Sequence, residues 1–400
     1  MSRIAEIADA VGTPFYLYDG DVLQARLEEF EAAFDGVPHQ TCYAVKANDA
    51  LALIRVAADE GLGADIVSSG ELYKVLRAGM PAERIVFSGV GKRRDEIRAA
   101  IEARVRSINV ESPGELDAVS AEARALGVTA RVAVRLNPDV EPDTHAYVST
   151  GQGTSKFGLS ESAVREELRR AARDPALEPV GVSFHVGSQL LDPEPVFSAA
   201  ARAAAIWRDL AADGIELRDF DAGGGLGVPY RGGDDLDVET YATRLARLAG
   251  ELGATLLLEP GRYLMAPAGD FVTRVLYVKD VPGRRIAVCD GGMNDLVRPA
   301  LYDAFHPIEL VGAGHGRPRG PVDVVGPVCE TGDFLALGRE LPLPEPGDLL
   351  AVGYAGAYGR VMSSTYNARP LCAEVLVEHG RWRVIREAGT YEDLIRHESL

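Results

Sequence analysis

TCYAVKANDALALIRVAADE, residues 41–60, sets a short β-rich run, TCYAVK (41–46), in front of the helical LALIRVAADEG. The same alternation recurs. ADIVSS (64–69) leads into ELYKVLRAGM, RIVFSG (84–89) into RDEIRAAIEARV, and SINVES (107–112) into GELDAVSAEARALG. RVAVRLNP (131–138) precedes a longer insertion ending in ESAVREELRRAARD, and GVSFHVGS (181–188) precedes PVFSAAARAAAIWRDLAADG. LRDFDAGGG (217–225) is followed by VETYATRLARLAGELG, and TLLLEPGRY (255–263) closes the series. Strands alternating with helices imply parallel β-α-β units. Eight of them in roughly 250 residues match the size and count of a TIM (β/α)8 barrel. A doubly wound open sheet is the competing arrangement, and the even repeat length favours closure.

Near position 266 the pattern changes. FVTRVLYVKD, RRIAVCDGG, VDVVGPV, DLLAVGY, AEVLVEHG and RWRVIRE are short, β-rich and separated by Gly, Pro or charged turns, with only LVRPALYDAF helical among them. This predicts a C-terminal antiparallel β domain or barrel. TPFYLYD, near the N-terminus, is a further strand that can pair with it. The expected division is a barrel over 22–265, with 1–21 plus 266–400 forming the β domain. GAGHGRPRGP (312–321) and ELPLPEPGD (340–348) read as loops.

Bulk properties exclude several classes. The 400 residues exceed one ordinary domain, and a hydrophobic content of 46% supplies ample core. No apolar run approaches the roughly 20 residues of a membrane span. The N-terminus carries acidic residues and no apolar signal core, so a cytoplasmic protein is expected. A net charge of −18 argues against nucleic acid and anionic membrane as partners. The cysteines at 42, 289, 329 and 372 have no metal-like spacing.

In barrels of this class the chemistry sits at the C-terminal ends of the strands. Those ends carry Lys46, Asp65, Ser68-Ser69, Asn137, His185 with Gly187-Ser188, the glycine triplet 223–225, and Glu259-Pro260-Gly261-Arg262. Each has an ordinary explanation. Lys46 can extend a packed stem to water, His185 can be a satisfied core residue, Asp65 can cap a helix, and Glu259 and Arg262 can pair at the rim. The glycines can form a tight turn. Gathered on one rim, the set suits a different purpose. A phosphate cradle, an imine-forming lysine, a flat imidazole and a carboxylate against a pyridine nitrogen describe a pyridoxal phosphate site.

YAVKAN, FHVGSQ, GGGLG, EPGR, MNDLVRPALYDAFH, CETGD and GAYGRVMSSTYNARP occur in the order found in the fold-type III pyridoxal phosphate decarboxylases. The chain resembles that family, and within it the meso-diaminopimelate decarboxylases, from about Thr13 to Leu394. The resemblance implies a TIM barrel followed by a β domain, assembled as a head-to-tail homodimer with shared active sites. It makes Lys46 the Schiff-base lysine, with Asp65 near it, His185 the ring-stacking partner and Glu259 the group facing the pyridine nitrogen. Ser188, Gly224, Gly225, Gly261, Arg262 and Tyr358 would hold the phosphate. Cys329, contributed across the dimer interface with Glu330, would return a proton to Cα. Arg298 and Tyr302, with Arg262, would grip the distal carboxylate of a diamino diacid, the product being L-lysine. A planar arginine suits a carboxylate, and Glu330 suits the distal ammonium.

The chain departs from the family pattern in three places: Thr331 stands where serine is usual, Val-Ser-Phe precedes His185 where a His-Cys pair is common, and Leu371 replaces a frequent basic residue. Three rivals share parts of the pattern. They are a decarboxylase acting on another, modified or carrier-bound amino acid, a pyridoxal phosphate racemase, and a cofactor-binding protein built on a lone barrel.

Overall fold

A computed structural model describes residues 3–140, 156–312 and 316–400. Part of the insertion after the fifth strand and the centre of the loop expected over 312–321 lie outside the described residues. Two compact units form. One comprises Arg26–Val228 with Asp234–Tyr263, and the other comprises Met1–Ala25, Pro229–Gly233 and Leu264–Leu400.

In the first unit, strands His39–Ala44, Gly63–Ile66, Ile85–Phe87, Ser107–Val110, Ala130–Leu136, Leu177–Phe184, Asp219–Asp221 and Thr255–Leu258 pair in parallel in chain order. The last pairs with the first and the barrel closes, which removes the open-sheet alternative. Every residue of Gly63–Ile66, Ile85–Phe87, Ser107–Val110 and Asp219–Asp221 is buried. Such continuous burial is what a parallel strand needs when side chains fill one face and helices cover the other. Local sequence starts and stops those helices. The Ser68 and Ser112 hydroxyls accept the backbone N–H of Glu71 and Glu115. Gly127 and Gly253 end helices Pro113–Leu126 and Val238–Leu252 in the left-handed conformation, which costs glycine least.

The second unit is a nine-stranded sheet. Its strands run Phe334–Pro342, Arg319–Val325, Arg284–Cys289, Gly269–Val281, Phe15–Asp19, Ala373–Glu378 and Arg381–Arg386, with Leu349–Val352 pairing both Gly269–Val281 and Ile308–Leu310. Phe15–Asp19, the strand read in TPFYLYD, enters this sheet as expected. The sheet is mixed, whereas the sequence suggested antiparallel pairing throughout. Phe15–Asp19 runs parallel to Ala373–Glu378, and Arg284–Cys289 parallel to Arg319–Val325. Strands joined by long connections are released from the hairpin geometry that enforces antiparallel pairing. Two loop expectations also shift: Arg319–Val325 and Phe334–Pro342 begin and end inside the stretches read as loops. The helical reading of 296–305 shrinks to Arg298–Tyr302. The N-terminal helix Arg3–Val11 sets Ile7 and Ala8 against Phe15, Leu17, Val272, Val375 and Val377 in the apolar core of this unit.

Candidate active site

The first barrel strand stops at Ala44, and Val45–Ala47 form one tight turn that carries Lys46. The Tyr43 hydroxyl donates to the Asn48 carbonyl at 2.7 Å and ties that turn down. Lys46 Nζ lies 2.6 Å from Asp65 Oδ2 on the next strand, with the Asp65 side chain fully buried and a third of the Lys46 side chain exposed (34%). The other Asp65 oxygen, Oδ1, is buried without a hydrogen-bond partner.

The glycine run after the seventh strand is dictated by close approach. A Cβ on Gly224 would stand 1.9 Å from the Glu259 carbonyl oxygen, and one on Gly225, at φ +101°, would stand 2.1 Å from the Gly187 carbonyl oxygen. Only bare backbone lets the segments after the sixth, seventh and eighth strands meet there. The Gly224 N–H donates to His185 Nδ1 at 3.2 Å, which leaves the imidazole proton on Nε2 when the ring is neutral. Burial, and then the positive charges of Lys46 and Arg135, hold the His185 pKa well below its ordinary value, so the ring is uncharged. Arg262 is buried and donates from Nη2 and Nε to Ser188 Oγ at 2.9 and 3.3 Å. Gly261 passes so close to the first strand that an added Cβ would touch Ala44 and Ala47 at 3.0 Å.

Glu259 is buried at the end of the eighth strand, and burial together with Asp221 and Asp65 pushes its pKa well up. Behind it runs a polar network that the sequence reading missed. Ser88 donates to Glu259 at 3.5 Å, Asn109 Nδ2 donates to Ser88 Oγ at 3.1 Å and to Asp221 Oδ2 at 3.0 Å, and Ser107 donates to Asn109 Oδ1. Asp221 also accepts the Gly223 N–H at 3.0 Å, and its pKa is pushed up to about 6, chiefly by burial. A signal was present: Asn109 and Asp221 are polar residues inside strands otherwise built for burial.

The barrel unit thus brings Lys46, Asp65, His185, Ser188, Gly224, Gly225, Glu259, Gly261 and Arg262 to one mouth. Arg298, Tyr302, Cys329, Glu330 and Tyr358 belong to the β unit. There Arg298 is buried and donates from Nη1 to the Tyr230 hydroxyl at 3.0 Å and to His306 Nε2 at 2.9 Å. Tyr302 is half-buried on the same short helix. Tyr358 is held at φ 56°, in the left-handed region. Cys329 and Glu330 are exposed. The Cys329 N–H donates to Asn367 Oδ1 at 2.8 Å, and the Asp333 carboxylate accepts the N–H groups of Met293 and Val328, so the loop bearing the thiol is tied to the segments around Asn367 and Met293.

Residues 21–266 match the family model described as pyridoxal-dependent decarboxylase, pyridoxal binding domain. Diaminopimelate decarboxylase of Helicobacter pylori (strain J99) is 42% identical over 398 residues, which cover 100% of this chain and 98% of that protein. The chain belongs to the diaminopimelate decarboxylase family of pyridoxal-dependent decarboxylases. It is accordingly a pyridoxal phosphate-dependent amino-acid decarboxylase. The enzyme of the same name from Pseudomonas fluorescens is 46% identical over 402 residues, covering 99% of this chain and 95% of the relative. The crystal structure of the Helicobacter pylori enzyme complexed with L-lysine superposes with a TM-score of 0.96, at 42% identity and 99% coverage of both chains. The lysine/ornithine decarboxylase of Vibrio vulnificus, at 23% identity and a TM-score of 0.82, shares the fold.

The residues of this decarboxylase fit the cofactor. An amine, a guanidinium with a hydroxyl, bare glycine backbone and a buried carboxyl are the donors and acceptors that an aldehyde, a phosphate and a pyridine nitrogen require. The unsatisfied Asp65 Oδ1 beside Lys46 adds an acceptor awaiting a donor. Among the described residues no His, Cys, Asp and Glu side chains group as a metal site, and no helix is long and apolar enough to cross a membrane.

Proposed function

We propose that this enzyme decarboxylates meso-2,6-diaminopimelate to L-lysine. Similarity over the whole chain to enzymes of that activity carries the reading. The buried Arg298 supports it, because a guanidinium is the recognition group for a distal carboxylate and a substrate without one would not need it.

Bound pyridoxal phosphate supplies an electron sink that stabilises the carbanion at Cα when carbon dioxide leaves. The chain's residues do the rest. Lys46, paired with Asp65, holds the cofactor through its amine. Ser188, Gly224, Gly225, Gly261, Arg262 and Tyr358 bind the phosphate. Neutral His185 would stack against the ring. Glu259 would face the ring nitrogen and hold a proton there. Arg262, Arg298 and Tyr302 bind the distal carboxylate, and Glu330 the distal ammonium. Cys329 of the partner subunit returns the proton to Cα in a head-to-tail homodimer. The reading places the enzyme in the cytoplasm and in lysine biosynthesis.

Carbon dioxide release by the purified holoenzyme is the test, across diaminopimelate, lysine, ornithine and arginine. The expected result is release from diaminopimelate at a kcat/KM at least about a hundredfold above the others, since a site built to bond a group rejects substrates lacking it by large factors. Comparable release from lysine or ornithine, or racemisation without carbon dioxide, would overturn the proposal.

A further inference from the structure

His306 and Tyr230 were absorbed by no part of the catalytic set, yet both close on Arg298. His306 is fully buried, and its Nδ1 lies 2.9 Å from the Gly353 carbonyl oxygen. A carbonyl only accepts, so Nδ1 carries the proton and donates it. Nε2 lies 2.9 Å from Arg298 Nη1, which only donates. The two partners therefore fix one neutral tautomer, with the Nε2 lone pair aimed at the guanidinium. The second Nη1 hydrogen goes to the Tyr230 hydroxyl at 3.0 Å, and the guanidinium lies over the Tyr230 ring, 4.9 Å from its centroid. The His306 and Tyr230 rings meet edge to face at 5.3 Å.

The clamp is anchored in the sheet. Gly353 N–H donates to the Pro307 carbonyl at 2.8 Å, where strands Ile308–Leu310 and Leu349–Val352 begin to pair, and Arg339 donates to the His306 carbonyl at 2.8 Å. Phe305 is covered by the guanidinium groups of Arg231 and Arg339. Arg298 itself begins a helix of only five residues, Arg298–Tyr302, a length that depends on tertiary packing.

We infer that His306, with Tyr230, is a positioning residue that orients the Arg298 guanidinium and thereby sets the preference for ligands bearing a distal carboxylate. The inference rests on the proposed role of Arg298. Two of its hydrogen bonds fall on Nη1. A guanidinium is planar, so holding Nη1 against two partners sets the direction in which the whole group meets a carboxylate before substrate arrives.

The test compares two competitive inhibitors of the holoenzyme. L-Lysine, the proposed product, keeps the distal carboxylate, and cadaverine is the same diamine without it. His306→Asn keeps a donor near Gly353 but cannot also reach Arg298. It should raise the lysine Ki about tenfold or more, the scale of a lost hydrogen bond to a charged group. The cadaverine Ki and the visible absorbance of the bound cofactor should stay unchanged. His306→Gln, long enough to serve both partners, should restore the lysine Ki to near wild type. Equal weakening of both inhibitors, or an unchanged lysine Ki, overturns the inference. Arg298→Lys separates this from failure of the underlying role: if it leaves the lysine-to-cadaverine ratio intact, the reading of Arg298 is wrong. If it collapses the ratio and His306→Asn does not, only the positioning is wrong. Should the asparagine variant fail to load cofactor, Tyr230→Phe removes the other acceptor and carries the same comparison.

Discussion

Gly224→Ala tests how the site is held together. An added Cβ would stand 1.9 Å from the Glu259 carbonyl oxygen, and Cβ atoms do not come closer than 3.0 Å to such neighbours. The obstacle is backbone, so no rotamer relieves it, and the two segments have to part by about 1.1 Å. That movement carries Glu259 away from the site and breaks the hydrogen bond from Gly224 N–H to His185 Nδ1. A displacement of about 1 Å in a catalytic constellation costs about a hundredfold in rate. The variant should fold, retain less than about half of its cofactor as judged by visible absorbance, and lose about a hundredfold in kcat. Gly114→Ala is the control: nothing lies within 4 Å of its added Cβ in helix Pro113–Leu126. It should leave cofactor content and kcat unchanged and the melting temperature equal or slightly higher. Wild-type cofactor content and turnover in Gly224→Ala would show that the glycine run is not tightly packed against the Glu259 strand end, and the derivation of the site from backbone contact would fail.

Other outcomes follow from individual groups. Glu259→Gln keeps the reach to Ser88 but cannot hold a proton on the ring nitrogen as an anion, so kcat should drop by about a hundredfold or more in single-turnover assays while cofactor remains bound. Asp270 has its pKa pushed up to about 6 by burial, with Glu309 and Asp19 adding. Its folded pKa lies above the unfolded value, so its favourable contribution is full below pH 4 and lost as pH rises to about 6. Asp270→Asn should therefore stabilise the protein by about 2 kcal/mol at pH 8 and hardly at all at pH 4, checked by urea unfolding at both pH values. If Cys329 acts across a symmetric dimer, mixing inactive Lys46→Ala and Cys329→Ala subunits should regain about a quarter of wild-type activity, and no recovery would argue for action within one subunit.

The sequence by itself determined the barrel and the residue types of its mouth. The strands are short and mostly apolar, a helix follows each of the first seven, and Ser68, Ser112, Gly127 and Gly253 mark helix ends through local hydrogen bonds and backbone freedom. These are near-neighbour effects, and near neighbours are what a sequence displays. Lys46, His185, Glu259 and Arg262 could be placed on one rim because strand order fixes which ends converge. The tertiary structure alone decided the rest. Pairing of Phe15–Asp19 with Ala373–Glu378 in parallel joins residues more than 350 positions apart, and no local pattern encodes that register. Why Gly224 must be glycine emerged only when the Glu259 carbonyl stood against it, and Asp65 became a counter-ion for Lys46 only once two strands lay side by side. Asp221 and Asn109 come from two different strands and Ser88 from just beyond a third, and His306 gains its meaning from Gly353 and Arg298. Burying a polar group is costly unless a partner meets it, and where that partner comes from a distant strand only the folded chain reveals the match.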